Sequence, residues 1–333
     1  MAPKLVVVFT GGTISMLPDP ATGRAVPALR GAEILARSPG LDQIAELEPI
    51  DWGLVPASHF RFSQLLELAR VLADALSRPE VDGAVLVQGT DTIEETAFAF
   101  DLLVPGDKPV VVVGAMRNAG DPGYEGPSNL RDAVRAAAAP ELRGAGTVVV
   151  MGGSILPADD VTKTHTDAYD TFKALNFGPL GEMRGERVSV QRSRAMRRRL
   201  PAIPERAAEP IALVTAVVSM DGAPIRMAVA GGAHGVVVEA TGSGNTDADL
   251  LEAAREAMGR GIPVAFTTRC PSGRVSGGYG FPGGGAAWLA SGAMPAGYLG
   301  GPKARVALAL GLGAGLRGGK LRALLEGSPT EDA

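Results

Sequence analysis

The sequence predicts an α/β protein with a larger N-terminal domain on a doubly wound parallel sheet and a smaller C-terminal α/β domain. Three observations predict it. Compact β-branched runs recur at Leu5–Phe9, Gly83–Gln88, Pro109–Gly114 and Thr147–Met151, and helical patterning lies between them, the β-α-β alternation of a parallel sheet. A length of 333 residues suits two domains. A polar, basic stretch at 191–210 then divides the chain into 1–190 and 211–333.

Taken in order, the first strand runs into Thr10-Gly-Gly-Thr-Ile-Ser15, whose two glycines let the backbone turn sharply. Met16 to Arg30, rich in Pro and Gly, reads as a mobile loop. Helices are expected over about Gly31–Ser38 and Phe62–Leu76, the latter with Leu65, Leu66, Leu68, Ala69 and Leu72 on one face. After the second strand, Gly89-Thr-Asp-Thr92 leads into a helix to about Leu103, with Thr92 and Glu95 at capping-box spacing. Strand Pro109–Gly114 passes through Ala115-Met-Arg-Asn118 and a glycine-rich loop to a helix over about Ser128–Ala139. In the second domain, strands are expected at Ile211–Val218, Gly235–Ala240 and Ile262–Thr267, with Thr246 or Asp247 capping a helix to about Arg260. Gly273–Gly285 is too glycine-rich to be regular throughout. Pro302 and Gly311 frame a terminal helix, and a polar, frayed tail closes the chain.

Composition narrows the function. A net charge of −4 gives no general attraction to nucleic acid or anionic membrane. The dense basic cluster Arg192 to Arg199 reads as a solvated linker. Cys270 is the single cysteine, so no intrachain disulfide can form. Only Met1 to Lys4 precede the first strand, and no apolar run approaches the ~20 residues of a membrane span. A cytoplasmic protein is therefore expected.

Cofactor motifs fail on spacing. Gly-x-Gly-x-x-Gly is absent after the first strand, Gly319-Lys320 lacks the earlier glycine of a P-loop, and no Gly-x-Ser-x-Gly elbow occurs. His59, His165 and His234 lie far apart without metal-ligand spacing, so no metal is expected. Hydroxyl chemistry remains. Thr13 and Thr90 each follow a strand of the same expected sheet, and Asp91 adjoins the second. A threonine attacks a carbonyl only when a base takes its proton and its surroundings steady the anion. Lys163, in Asp160-Val-Thr-Lys-Thr-His165, can serve if burial favours its neutral form.

Together, Thr10-Gly-Gly-Thr-Ile14, Gly89-Thr-Asp-Thr-Ile-Glu-Glu-Thr96, Gly114-Ala-Met-Arg117, Gly126-Pro-Ser-Asn-Leu130, Val161-Thr-Lys-Thr-His165 and Pro302-Lys-Ala-Arg305 resemble the bacterial-type L-asparaginase family, in order and over nearly the whole chain. The resemblance implies a cofactor-free two-domain amidohydrolase that deamidates L-asparagine to L-aspartate and ammonia. It implies homodimers or homotetramers, with each site between one subunit's larger domain and its neighbour's smaller one. By position Thr13 matches the nucleophile, while Thr90, Asp91 and Lys163 match the second triad. Gly12, Gly89 and Ala115 match positions along the substrate, Ser58 a carboxylate-holding serine, and Asn245 a residue reaching across the dimer interface.

Three departures stand against this. No tyrosine lies between residues 1 and 123, so the loop tyrosine that accompanies the nucleophile is missing. The neighbouring subunit's glutamate is replaced by Gly277-Gly-Tyr-Gly-Phe-Pro-Gly283, and His59 follows Ser58 where secreted members carry glutamine. Tyr279 of a partner chain is the first choice to supply the phenol, ahead of Tyr124 and Tyr169. The departures also keep open another small carboxamide (D-asparagine or glutamine) as the substrate, or a catalytically weak amino-acid-binding homologue.

Overall fold

A computed structural model describes residues 2–194 and 197–327. The chain divides into two compact units, Met1–Arg197 and Arg198–Ala333. Among the described residues of the first unit, eight strands form one sheet, in the order Arg187–Val190, Gly181–Arg184, Ser154–Pro157, Thr147–Met151, Val110–Val113, Gly83–Val87, Lys4–Phe9 and Glu46–Asp51. The last five are parallel. The first three extend the sheet antiparallel.

The four inner parallel strands are apolar runs because both of their faces are buried. Leu5 to Val8, Ala84 to Val87 and Val111 to Val113 are fully buried. Each such side chain stabilises the fold by roughly 1.5–3 kcal/mol relative to exposure. Helix Phe62–Ser77 buries Leu65, Leu66, Leu68, Ala69 and Leu72, the face its periodicity marks. Helix Ile93–Leu103 is buried nearly all round, and Ala97 to Phe100 have no exposure. An aspartate in place of Val85 would put a charge between two neighbouring strands with no partner, and is the simplest way to break this layer.

Strand order in the parallel part is not sequential. Of the strands in this sheet, the second along the chain, Glu46–Asp51, lies outside the first, Lys4–Phe9, and the third, Gly83–Val87, flanks the first on its other side. The order therefore reverses between Lys4–Phe9 and Gly83–Val87. In open α/β sheets the crevice that takes ligands lies beyond the carboxyl ends of strands at such a reversal.

Several expectations need correction. Glu46–Asp51 was not expected as a strand, and neither were the three antiparallel strands. The mobile loop over 16–30 contains a hairpin, Met16–Pro18 paired with Ala25–Pro27. Its turn is held by Asp19, which accepts from Thr22 N at 2.8 Å and Ala21 N at 3.0 Å. These bonds, with the Thr22 hydroxyl, hold the Asp19 carboxyl below its ordinary pKa. Thr92 does not close a capping box, since its hydroxyl donates to Ala57 O at 3.1 Å instead.

The solvated-linker reading of the basic cluster also fails. The Arg194 side chain is 4% exposed and pairs with Asp101 at 2.8 Å and Asp159 at 2.9 Å, while Arg197 pairs with Asp101 at 3.0 Å. Burial opposes the Arg194 charge, but the two carboxylates outweigh it and its pKa is raised. A buried ion cluster of this kind is costly to break on one side.

In the second unit, Ile211–Thr215, Gly235–Ala240, Val264–Thr268 and Met294–Pro295 form a parallel sheet in chain order. Helix Ala248–Gly259 starts at Asp247, whose carboxylate accepts from Asp249 N at 2.8 Å, the cap its sequence marks. Phe266 stacks on Trp288 at 5.4 Å in the core. Helices Ala223–Ala230 and Gly285–Ala290 were not expected. Helix Gly301–Gly313 was, but Gly318–Glu326 forms a further helix where a frayed tail was expected, and the rest of that tail, 328–333, lies outside the described residues.

Candidate active site

Both threonines hang from the two strands that flank the reversal. Thr10 ties those strands together at their carboxyl ends: its N–H and its hydroxyl both donate to Val87 O at 3.0 Å. Gly11 and Gly12 follow at φ +101° and +94°, in the region that favours glycine. A Cβ on Gly12 would collide with the backbone nitrogen and Cα of Gly89, so the two loops meet glycine to glycine. Thr13, half-buried, then opens a single 3₁₀ turn, Thr13–Ser15. Ser15 closes it by donating to Gly12 O through N–H at 2.9 Å and through its hydroxyl at 2.7 Å.

The second loop is built likewise. Gly89 leads into the turn Thr90–Thr92, with Thr90 only 5% exposed. Behind it Gln88 is fully buried; its amide donates to Gly89 O at 3.1 Å and it accepts from the Thr96 hydroxyl at 2.8 Å. Lys163 arrives from the short pair Val161–Lys163 and Phe172–Ala174. Its ammonium lies 3.0 Å from Thr90 Oγ1 and 2.8 Å from Asp91 Oδ1, with the lysine side chain 16% exposed. Asp160 fixes the base of this arm by accepting from Asn176 N at 3.0 Å and Phe177 N at 2.8 Å.

The first unit thus brings Gly12, Thr13, Gly89, Thr90, Asp91 and Lys163 to one sheet edge. Ser58 and His59 lie in the turn Ala57–His59, exposed, and that turn is joined to the second loop through the Thr92–Ala57 bond. Ala115, fully buried, follows strand Val110–Val113 after Gly114, at which a Cβ would crowd Gln88 O and the Thr90 methyl. Asn245 and Tyr279 lie in the second unit. Asn245 closes the turn from Thr241 by backbone bonds of 2.9 Å in both directions, and its side-chain oxygen is buried without a hydrogen-bond partner. Tyr279 is half-exposed beside Phe281, 5.9 Å between ring centres. Among the described residues no group of three or more His, Cys, Asp or Glu side chains is placed to hold a metal.

Sequence reasoning missed Gln88, Glu125 and Asn129 as supports and ranked Tyr124 low. Glu125, just ahead of helix Gly126–Ala138, accepts from Met116 N and from Arg117 N, the latter at 3.3 Å. Asn129 donates to Gly114 O at 3.1 Å. An acidic residue before Gly126-Pro127 at a helix start was the available signal for the first of these.

The chain matches two family models: asparaginase, N-terminal, over residues 4–196, and the glutaminase/asparaginase C-terminal domain over 210–325. The chain belongs to the asparaginase family. It is an asparaginase-type amidohydrolase. Its similarity to individual asparaginases runs along most of its length. A probable L-asparaginase of Deinococcus radiodurans is 34% identical over 92% of each chain. An L-asparaginase of Bacillus licheniformis is 32% identical over 83% of this chain and 84% of its own. A glutaminase-asparaginase of Acinetobacter glutaminasificans is 36% identical over 54% of this chain and 55% of its own. No helix among the described residues is long and apolar enough to cross a membrane.

Proposed function

We propose that the chain deamidates L-asparagine to L-aspartate and ammonia by acyl transfer to Thr13. The observation that carries this reading is the Lys163 ammonium bridging Thr90 Oγ1 and Asp91 Oδ1, on the loop that meets the Thr13 loop at the strand reversal. The Thr13 oxygen attacks the side-chain amide carbon, a C–O bond forms, and the C–N bond breaks as ammonia leaves with the transferred proton. Water then adds to the ester carbon while Thr90 and Lys163 relay its proton toward the departing Thr13 oxygen; the C–O bond to Thr13 breaks, and aspartate and the Thr13 alcohol are freed. Holding both reactants on glycine-bounded turns supplies the orientation that such a step needs.

In this reading Asp91, exposed beside its lysine, meets the substrate α-ammonium, and Ser58 holds the α-carboxylate. Gly12, Gly89 and Ala115 line the substrate. Asn245 of a neighbouring copy completes the grip with its unpartnered oxygen, and Tyr279 of that copy brings a phenol to Thr13. The working form is then a homodimer or homotetramer, acting without cofactor in the cytoplasm.

A second reading, the same chemistry on glutamine or D-asparagine, is favoured by His59 beside Ser58 and by the similarity to a glutaminase-asparaginase. Ammonia release over a panel of L-asparagine, D-asparagine and L-glutamine tests both. Release from L-asparagine that vanishes in Thr13→Ala supports the first. Release from the other amides alone selects the second, and no release from any amide leaves an amino-acid-binding homologue.

A further inference from the structure

Of the chain's four tyrosines, Tyr124 bonds directly to the turn that carries Thr13. Its hydroxyl donates to Ile14 O at 2.8 Å, across 110 residues of chain. Ile14 is the middle residue of Thr13–Ser15, so this carbonyl belongs to the Ile14–Ser15 peptide unit of the same turn, one unit removed from Thr13. The segment around Tyr124 also reaches the residue that follows this turn, through Ala119 N to Met16 O at 3.0 Å. On its other side Glu125 holds the backbone of Met116 and Arg117. Residues 119–125 therefore form a strut between the Thr13 turn and the loop of Ala115.

The strut leaves the phenol little freedom. A Cβ on Gly126 would collide with the Tyr124 ring, so the ring packs directly over that glycine. Burial pushes the phenol pKa up to about 12, with Arg37 opposing and Glu125 adding to the shift. The hydroxyl stays protonated and donating at every pH where a neutral-pH amidohydrolase works. Its geometry suits a fixed donor, not a base.

We propose that Tyr124 is a positioning residue that, by holding the Ile14 carbonyl, sets the direction in which Thr13 presents its alcohol and couples that direction to the Ala115 loop. The proposal rests on Thr13 being the nucleophile. Removing one hydroxyl leaves the packing of the ring intact. A small displacement of an attacking oxygen lowers the rate without loosening substrate binding.

The test is Tyr124→Phe in the full chain, with Tyr298→Phe as a control in the second unit. The expected result is a fall in kcat of about tenfold with KM, aspartate affinity and Tm close to wild type. The limbs of the pH–rate profile stay in place and only the plateau drops. Unchanged turnover overturns the proposal. So does a loss matched by equal losses of aspartate affinity and Tm, which is merely structural, or a shifted limb, which makes the phenol a proton carrier. Thr13→Ala separates the two levels. If it retains activity, the nucleophile reading fails whatever Tyr124→Phe does. If it is inactive while Tyr124→Phe is normal, only this inference fails.

Discussion

The two units each hold a parallel sheet, yet the carboxyl edges of the two sheets are built differently. In the first, strand order reverses between Lys4–Phe9 and Gly83–Val87, and the loops leaving those strands meet at Gly12 and Gly89. In the second, four strands follow one another in chain order, and the turn Thr241–Asn245 leaves Gly242 at φ +51° with open space around its α-carbon. A reversal splays consecutive connections to opposite faces and opens a crevice, whereas sequential order does not. In our account the first edge performs chemistry and the second supplies grip. Substitutions at the first should lower kcat, and those at the second should raise KM.

The largest effect sharpens this division at the first edge. Lys163→Met leaves Thr90 and Asp91 in place but removes the group between them, and kcat should fall by about 10²–10⁴-fold, the range for losing a proton-transfer partner. Steady-state ammonia kinetics at saturating substrate check it. Gly12→Ala comes next: the methyl collides with Gly89 and the φ of +94° strains it further. We expect about a hundredfold loss of kcat, with a lowered Tm. The matched change Gly242→Ala meets nothing within 4 Å and should cost only about 1 kcal/mol of stability by denaturant titration. Equal losses at the two glycines would break the comparison.

At the second edge Asn245→Ala should raise KM for L-asparagine by about tenfold with a smaller change in kcat, if Asn245 grips the substrate as proposed. The smallest effect concerns how the second unit is held together at its surface. Arg226 joins two helices by pairing with Asp249 at 2.8 Å and Glu256 at 3.0 Å. The Arg226 guanidinium, with Gly222 N–H, holds the Asp249 carboxyl down to about 2. A depressed carboxyl contributes stability that is present above its unfolded pKa, near 3.8, and is lost as pH falls toward 2. Arg226→Met should lower Tm modestly at pH 7, and the gap to wild type should close between pH 4 and pH 2.

What the sequence made legible follows the same physics. Strands such as Gly83–Val87 and Val110–Val113 were readable because both faces are buried, which demands unbroken apolar runs. Glu46–Asp51 was not, since an edge strand tolerates the glutamates and Pro49 that make it look like a loop. Arg194 and Arg197 looked solvated because a charge carries no mark of its partner, and Asp101 lies more than 90 residues away. Gly318–Glu326 begins Gly-Gly-Lys and hides three buried leucines behind a polar start. In the candidate site, Thr13 and Thr90 stood out because each follows a buried apolar strand by a few residues, whereas Lys163 ends a short strand of its own that the sequence did not announce. Tyr124 was barely so, because its bond to Ile14 spans a separation that no local pattern encodes.

Which oxygen is acylated decides the mechanism. Rapid quenching of the enzyme with L-asparagine, followed by peptide mass mapping, measures this directly. Our account places the added aspartyl ester on Thr13, in the peptide that spans the first strand and its turn. An ester on Thr90 or on any other residue, or brisk ammonia release with no ester trapped in either wild type or Lys163→Met, would contradict it.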